Sequence, residues 1–146
     1  LEGPHIVYCD KVDPSGDSAP RAFRMRQDAH STALGKAILA YKTRDELKEI
    51  YKSYSLHKHT KNTITTLDKL IIDLQRVRKN GYSLNEAETF DYVYGIGAPI
   101  IDSQNRAIAA ISISGTKGSI NVKSIAELSK EVTKTARLIT AKLSEN

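Results

Sequence analysis

The segment from His30 to Tyr41 has the residue types of a helix start that could bind an anion. Ser31 and Thr32 carry capping hydroxyls, and good helix formers follow them. The first turn, residues 33–35, has only small or apolar side chains. A helix start exposes backbone N–H groups and carries a partial positive charge, so small side chains there let an anion approach. Spacing alone favours a plainer interpretation, an ordinary buried helix whose small residues allow close packing.

Two serines on a later apolar run could supply further donors. Ser112 and Ser114 are two residues apart, so on a strand their hydroxyls face the same side. Ile111 and Ile113 then face the opposite layer. Together with N–H groups at a helix start, such hydroxyls would bind the carboxylate of a small organic acid between apolar walls. The alternative is that both serines point to solvent and bind nothing.

Other residues that could do chemistry lack partners at useful spacing. His57 and His59 would form half of a metal site, but no third ligand is evident, and in a lysine-rich loop they are interpreted as surface residues. Cys9 has no basic neighbour that would activate a thiolate. Because no nucleophile, base or metal cluster has credible spacing, we expect no catalytic residue, no metal ligand and no cofactor.

The predicted strands are separated by segments of turn-forming composition. Tyr92–Asp102 and Arg106–Ser114 are apolar runs joined by a short connector, which predicts an antiparallel hairpin. Gly95 and Gly97 lie inside the first run, where glycine usually marks a bulge or a close approach. Near the N-terminus the composition predicts a strand over 6–9 that ends near Val12, a loop over 13–18 and a second strand over 21–25.

Four helices are predicted from caps and periodicity. The first covers about 32–41. Thr43 and Glu46 form a capping box that opens a second helix, which runs to about Tyr54. A third helix is capped by Thr65 or Thr66, buries one apolar face and ends at Gly81. The last helix, about 123–143, has an apolar stripe at steps of three and four, made of Ile125, Leu128, Val132, Ala136, Ile139 and Leu143. Antiparallel strands mixed with helices indicate an α+β fold.

Composition bounds the class of protein. A chain of 146 residues is expected to form a single domain with a real core. Its net charge of +5 fits a solvated surface better than a nucleic-acid interface. One cysteine suits a reducing cytoplasm, and no apolar run approaches membrane-spanning length. Because residue 1 is leucine and not an initiator methionine, we expect the chain to be a piece of a longer protein.

Three ordered motifs resemble one family. His30–Ala40 is similar to the signature helix of the effector-binding domain of IclR-type bacterial transcription regulators. Arg78–Ser83, followed by Glu86 and Glu88, resembles that family's Arg-x-x-Gly-Tyr segment and its trailing acidic pair. Residues 97–102 and 109–115 resemble its last strand pair. Looser similarity reaches both ends, so the resemblance covers nearly the whole chain.

The resemblance implies a more definite fold than the composition does. It implies a GAF-like domain, a curved antiparallel β-sheet with helices on both sides, whose pocket lies on the sheet under the signature helix. Some members hold a metal in this pocket, which would make His30 a ligand, although a capping or packing role is the preferred interpretation.

The resemblance also implies six effector-binding positions. Ala33 and Leu34 match residues whose backbone holds the effector, and Ser112 and Ser114 match its strand hydroxyls. Two positions depart from members that sense small keto acids: Asn85 stands where they often carry aspartate, and Gly95 where they often carry cysteine or another side chain. Asn85 loses a charge and Gly95 opens space, which Tyr92 and Tyr94 would line or flank. A larger polar acid, such as a sugar acid or an aromatic acid, is therefore expected in place of glyoxylate or pyruvate.

The expected function is ligand sensing by a transcription regulator, not catalysis. In the family a separate N-terminal winged helix-turn-helix domain binds operator DNA, and we expect none in this chain. The effector-binding domain, residues 1–146, is expected to associate as a homodimer or homotetramer in the cytoplasm, without contact with a membrane. The alternatives are an oligomerisation module without a ligand, an enzyme on a similar sensor fold, and a nucleic-acid-binding module supported only by the charge.

Overall fold

The computed structural model describes residues 1–12 and 24–144. The predicted loop over 13–18, and residues 21–23 of the predicted second strand, lie outside these ranges. The described elements are, in chain order, β1 (His5–Val7), β2 (Arg26–Asp28), a 3₁₀ turn (Ala29–Ser31), α1 (Ala33–Leu39), α2 (Arg44–Tyr51), α3 (Leu67–Asn80), β3 (Ser83–Glu86), β4 (Tyr94–Ile101), β5 (Ala107–Gly115) and α4 (Val122–Ser144).

The two N-terminal strands form a short antiparallel ladder of their own. His5 pairs with Asp28, and Val7 pairs with Arg26. The first strand therefore begins one residue before the predicted strand over 6–9 and ends at Val7 rather than near Val12. Of the predicted second strand over 21–25, the described residues 24 and 25 are not in a strand: Arg24 adopts a left-handed conformation, with φ 64°, and β2 begins at Arg26.

The helix ends follow local chemistry closely. The capping box before α2 is confirmed: Glu46 N–H donates to Thr43 Oγ1 at 3.2 Å, and Thr43 N–H donates to Glu46 Oε2 at 2.6 Å. The helix ends at Tyr51 rather than near Tyr54, because the chain tightens there into a turn in which Tyr54 N–H donates to Tyr51 O. Gly81 ends α3 as predicted, with φ 79°.

The main sheet is antiparallel, with the order β3-β4-β5. The predicted hairpin is confirmed by the pairing of β4 with β5, although β4 starts at Tyr94 and leaves Tyr92 69% exposed. The strand β3 was not predicted, because Ser83–Glu86 is too short and too polar to give a clear period.

Helices cover both faces of β4. Gly97 meets the backbone of Ala33 in α1, whereas the alternate residues Ala98 and Ile100 pack on Val132 of α4. The fold is therefore α+β with helices on both sides of an antiparallel sheet, as the sequence led us to expect.

The predicted stripe of α4 is correct at its centre and wrong at its C-terminal end. Val132 and Ala136 are buried, but Leu143 is 52% exposed. Near this end of α4, Thr140 Oγ1 accepts a hydrogen bond from Ile101 N–H of β4 at 3.1 Å.

Candidate functional site

The start of α1 is capped as predicted. Thr32 Oγ1 accepts a hydrogen bond from Gly35 N–H at 3.0 Å, and Thr32 O accepts one from Lys36 N–H. Among residues 1–12 and 24–144, no acceptor bonds the N–H groups of Ala33 and Leu34. These two donors are the ones that the sequence assigned to an anionic ligand. The side chain of Leu34 packs against the core, so only its backbone is available to a ligand.

Four of the six predicted positions converge on one spot of the sheet. Asn85 of β3 pairs with Gly95 of β4, which pairs in turn with Ser114 of β5. A Cβ atom placed on Gly95 would lie 3.4 Å from Ala33 Cβ and 3.5 Å from Ser114 Oγ. The row Asn85–Gly95–Ser114 therefore runs directly beneath the first turn of α1.

A second row of small residues lies beside the first. Ser83 pairs with Gly97, and Gly97 pairs with Ser112, the fifth predicted position. Ser83 was missed by sequence reasoning, although its spacing of two from Asn85 puts both side chains on the same face once β3 is known to be a strand. Its hydroxyl donates to Ala33 O at 2.6 Å and thereby holds α1 on the sheet.

The side chains of β5 alternate between the two faces of the sheet as expected, but neighbouring elements bury only some of them. Ser112 and Ser114 are exposed, and within the described part of the chain no group hydrogen-bonds to their hydroxyls. Ile111 packs toward the α4 side, on the cluster that contains Ala98. Ile113 is 38% exposed, because that cluster ends before it.

Asn85 is buried, and its side chain orders the loop between β3 and β4. Its Oδ1 accepts a hydrogen bond from Glu88 N–H at 2.8 Å, and its Nδ2 donates to Thr89 Oγ1 at 3.5 Å. Thr89 Oγ1 in turn donates to Ser31 O at 2.7 Å. The loop is thereby tied to the turn that precedes α1, so a ligand at Asn85 would be linked to the position of α1.

A buried ion cluster lies one turn further along α1. Lys36, to which the sequence assigned no chemistry, is only 2% exposed. Its Nζ lies 2.6 Å from Glu88 Oε1 and 3.0 Å from Asp73 Oδ2. Burial raises the pKa of the Glu88 carboxyl above its ordinary value, even though Lys36 lies beside it. The spacing along the chain gives no signal for this cluster, since its three members come from three different segments.

A cleft of about 620 Å³ borders the buried ion cluster, because Lys36 and Glu88 also line it. Its lining includes Asp73, Arg76, Glu86 and Tyr94 but none of the six predicted effector-binding residues. Glu86 and Tyr94 pair with each other and lie on the face of the sheet opposite Asn85 and Gly95. Tyr94 therefore lines a different space from the one expected, and Tyr92 stacks on Phe90 with a centroid distance of 5.9 Å.

The histidines lie neither in the predicted effector site nor in the lining of the cleft. His57 and His59 lie near the surface, with side chains 57% and 34% exposed, as the sequence led us to expect. Both of them also face the buried carboxylate of Asp28. His30 is completely buried and packs near Tyr51, with a ring-centroid distance of 6.3 Å. Cys9 is exposed.

A sheet with helices on both faces, and with a capped helix start above a row of small and polar residues, is the architecture of a ligand-sensing domain. The family described as bacterial transcriptional regulator IclR C-terminal matches residues 1–141. The chain belongs to this family, as its three motifs indicated.

Comparison with individual proteins agrees with this membership. The chain is 33% identical to the HTH-type transcriptional regulator KdgR of Escherichia coli over 115 residues, which cover 78% of this chain and 44% of KdgR. The crystal structure of the Thermotoga maritima IclR gives a TM-score of 0.87 at 36% identity and covers 98% of this chain and 58% of that one. The C-terminal domain of E. coli KdgR gives a TM-score of 0.84 at 29% identity, over 97% and 82% of the two chains.

These relatives are transcriptional regulators and not enzymes, as expected for this chain. The chain spans about half the length of the curated relatives it matches. Among the described residues, no helix is both long and apolar enough to cross a bilayer.

Proposed function

We propose that residues 1–146 are a single regulatory domain that binds a small organic acid or a sugar-acid-like effector. The observation that carries the proposal is the convergence of Ala33, Asn85, Gly95 and Ser114 at one spot, where unpaired N–H and O–H donors meet. Ser112 and the N–H group of Leu34 complete the site. A carboxylate would take the N–H groups at the start of α1, and the polar remainder of the effector would take the serines. Asn85 would offer the second N–H of its amide, since Oδ1 already accepts from Glu88 N–H and the other N–H is directed at Thr89.

The space at Gly95 supports an effector larger than glyoxylate or pyruvate. A Cβ atom there would make ordinary van der Waals contact with Ala33 and Ser114, so the absence of a side chain opens room between α1 and the sheet. Asn85 offers an amide rather than a carboxylate, which favours neutral hydroxyl groups over a cationic or metal-bound partner. A sugar acid or an aromatic acid satisfies both conditions.

In the whole protein, the effector would control DNA binding from a distance. We infer that a winged helix-turn-helix domain N-terminal to this chain contacts operator DNA in the cytoplasm. We also infer that the effector-binding domain, residues 1–146, joins copies into a homodimer or homotetramer. The effector shifts a conformational or oligomeric equilibrium only if it binds two states with different affinities. The hydrogen bonds from Asn85 through Thr89 to Ser31 link the site to the start of α1, so a shift of α1 between two states would change the site.

The test is a thermal-shift screen of the chain against sugar acids, aromatic acids and small keto acids. A ligand that binds only the folded state raises the free energy of unfolding by about 2.7 kcal/mol at a hundredfold excess over its Kd. Ser112→Ala and Ser114→Ala should abolish the shift, whereas Ser103→Ala, an exposed serine in the turn between β4 and β5, should leave it unchanged. A shift that survives both strand substitutions would contradict the site, and pyruvate binding as well as every larger acid would contradict the effector class.

A further inference from the structure

The cleft of about 620 Å³ beside the buried ion cluster is a space that the proposed effector site does not use. It lies against α3 and the edge strand β3, and Val77, Leu84 and Tyr94 give it largely apolar walls. A volume of this size is typical of small-molecule sites, which combine apolar walls with a few convergent polar groups. The charged side chains of the lining therefore indicate which class of ligand the cleft fits.

The buried end of the cleft, formed by Lys36, Asp73 and Glu88, is rich in hydrogen-bond acceptors. Lys36 Nζ donates to Glu88 Oε1 at 2.6 Å. The same ammonium lies 3.0 Å from Asp73 Oδ2, which nevertheless has no hydrogen-bond partner among the described residues. Two carboxyl groups thus share one ammonium, so this end carries an uncompensated negative charge whenever both of them are ionised.

Glu88 supplies a second, independent observation. Its side chain is only 7% exposed, and its Oε2 is buried without a hydrogen-bond partner in the described part of the chain. A buried carboxylate oxygen that lacks a donor costs free energy, and nearly all such atoms in proteins have one. The last torsion of a glutamate side chain has a broad energy minimum, so a small rotation turns this oxygen toward the cleft that Glu88 lines. A donor on a ligand would then satisfy it.

The exposed rim of the cleft, formed by Arg76, Glu86 and Lys117, has an excess of positive charge. Neither Arg76 nor Lys117 has an ion-pair or hydrogen-bond partner among residues 1–12 and 24–144. The guanidinium of an arginine matches the planar geometry of a carboxylate and binds it through two parallel N–H groups. The cleft is therefore polarised, with acceptors at its buried end and unpaired cations at its rim.

We propose that this cleft is a second ligand site, for a small molecule with both a protonated amine and a carboxylate, of the size and chemistry of a free α-amino acid. The ammonium brings three N–H donors to the oxygens of Asp73 and Glu88, and the carboxylate takes the guanidinium of Arg76. The remainder of the ligand contacts Val77 and Leu84. An acid without an amine has no donor for the buried oxygens. The proposal does not depend on the effector site, which differs in both place and chemistry.

The test is a thermal-shift screen of the chain against the standard L-amino acids, one at a time near neutral pH, followed by isothermal titration with the strongest binder. We expect one equivalent to bind. Asp73→Asn and Arg76→Gln should each weaken binding at least about tenfold, because each removes a charged partner of the ligand. Asp68→Asn and Lys79→Gln are the matched controls, since both residues are exposed on α3 outside the lining of the cleft, and they should retain the parent affinity.

Analogues of the strongest binder separate the two charges of the ligand. The carboxylic acid that lacks the amino group should bind at least about tenfold more weakly than the amino acid, because the buried oxygens then receive no donor. The amine that lacks the carboxylate should bind the parent chain and Arg76→Gln equally. Equal binding of the amino acid and its deamino analogue would contradict recognition of the amine.

The double variant Ser112→Ala/Ser114→Ala changes only the proposed effector site and should leave amino-acid binding unchanged. Loss of binding in this variant, with retention in Asp73→Asn, would assign the amino acid to the effector site and overturn the proposal. Parent affinity in either Asp73→Asn or Arg76→Gln would also overturn it. So would the failure of every amino acid to bind a chain that circular dichroism shows to be folded.

Discussion

Ser83 Oγ donates a hydrogen bond of 2.6 Å to the carbonyl oxygen of Ala33, and this bond fastens the first turn of α1 to the edge of the main sheet. The same hydroxyl lies 3.3 Å from Gly97 O on the neighbouring strand. The helix start is therefore seated against β3 and β4 by contacts between backbone and small side chains. This close approach of α1 to the sheet places the N–H groups of Ala33 and Leu34 above Gly95.

Gly97→Ala is expected to destabilise the fold, whereas Gly95→Ala is not. A Cβ atom on Gly97 would lie 2.6 Å from Ala33 O and 2.8 Å from Ala33 C, and backbone atoms cannot move aside as a flexible side chain can. Overpacking of this kind costs about 1–3 kcal/mol. At Gly95 the nearest atoms are 3.4 Å away, which is ordinary contact. Chemical denaturation of both variants measures the difference, and equal stabilities would contradict the seating of α1 on Gly97.

Ser83→Ala should cost about 1–2 kcal/mol of unfolding free energy, because it leaves the buried carbonyl of Ala33 without this donor. Ser83 is only 1% exposed, so water cannot replace the lost hydroxyl. Ser103→Ala, an exposed position, should change stability by less than about 0.5 kcal/mol. Urea denaturation of the two variants provides the comparison. A Ser83→Ala protein as stable as the parent would mean that the 2.6 Å bond contributes nothing.

Lys36→Met is expected to cost roughly 3 kcal/mol or more, since removing one partner of a buried ion pair leaves an uncompensated charge. Glu88 is 5% exposed and lies 2.6 Å from Lys36 Nζ. The double variant Lys36→Met/Glu88→Gln should be more stable than the sum of the two single effects predicts. A double-mutant cycle by urea denaturation measures this coupling. Additive effects would show that Lys36 and Glu88 do not interact in solution.

Glu88 should also give the fold a specific pH dependence. Burial raises the pKa of its carboxyl above the ordinary value of 4.5, so the folded state keeps a proton that the unfolded state has already lost. Its contribution to stability is therefore complete below pH 4.5 and is lost as the pH rises through the folded-state pKa. Glu88→Gln removes this titration. The difference in unfolding free energy between parent and variant, followed from acid to neutral pH, should change in that window, and a flat difference would contradict the shift.

The features that the sequence predicted well depend on short-range chemistry. The capping box of Thr43 and Glu46, the left-handed Gly81 at the end of α3 and the hairpin of β4 and β5 each involve residues that are near each other in the chain. Motif resemblance extended this to the family, which the comparisons show, whereas the six effector-binding positions stay a prediction. The structure brings Ala33, Asn85, Gly95 and Ser114 together and puts Ser112 in the next row.

Only the tertiary structure decided the contacts between residues that are far apart in the chain. Lys36 and Glu88 are separated by 52 positions, Ala33 and Ser83 by 50, and Asp28 and His59 by 31. Periodicity and capping report only on neighbours within a few residues, since they arise from the repeat of a helix or strand and from local hydrogen bonds. The sequence alone therefore determined the four helices, the hairpin of β4 and β5 and the family, but not β3. The buried ion cluster and the partners of His59 followed only from how those elements pack.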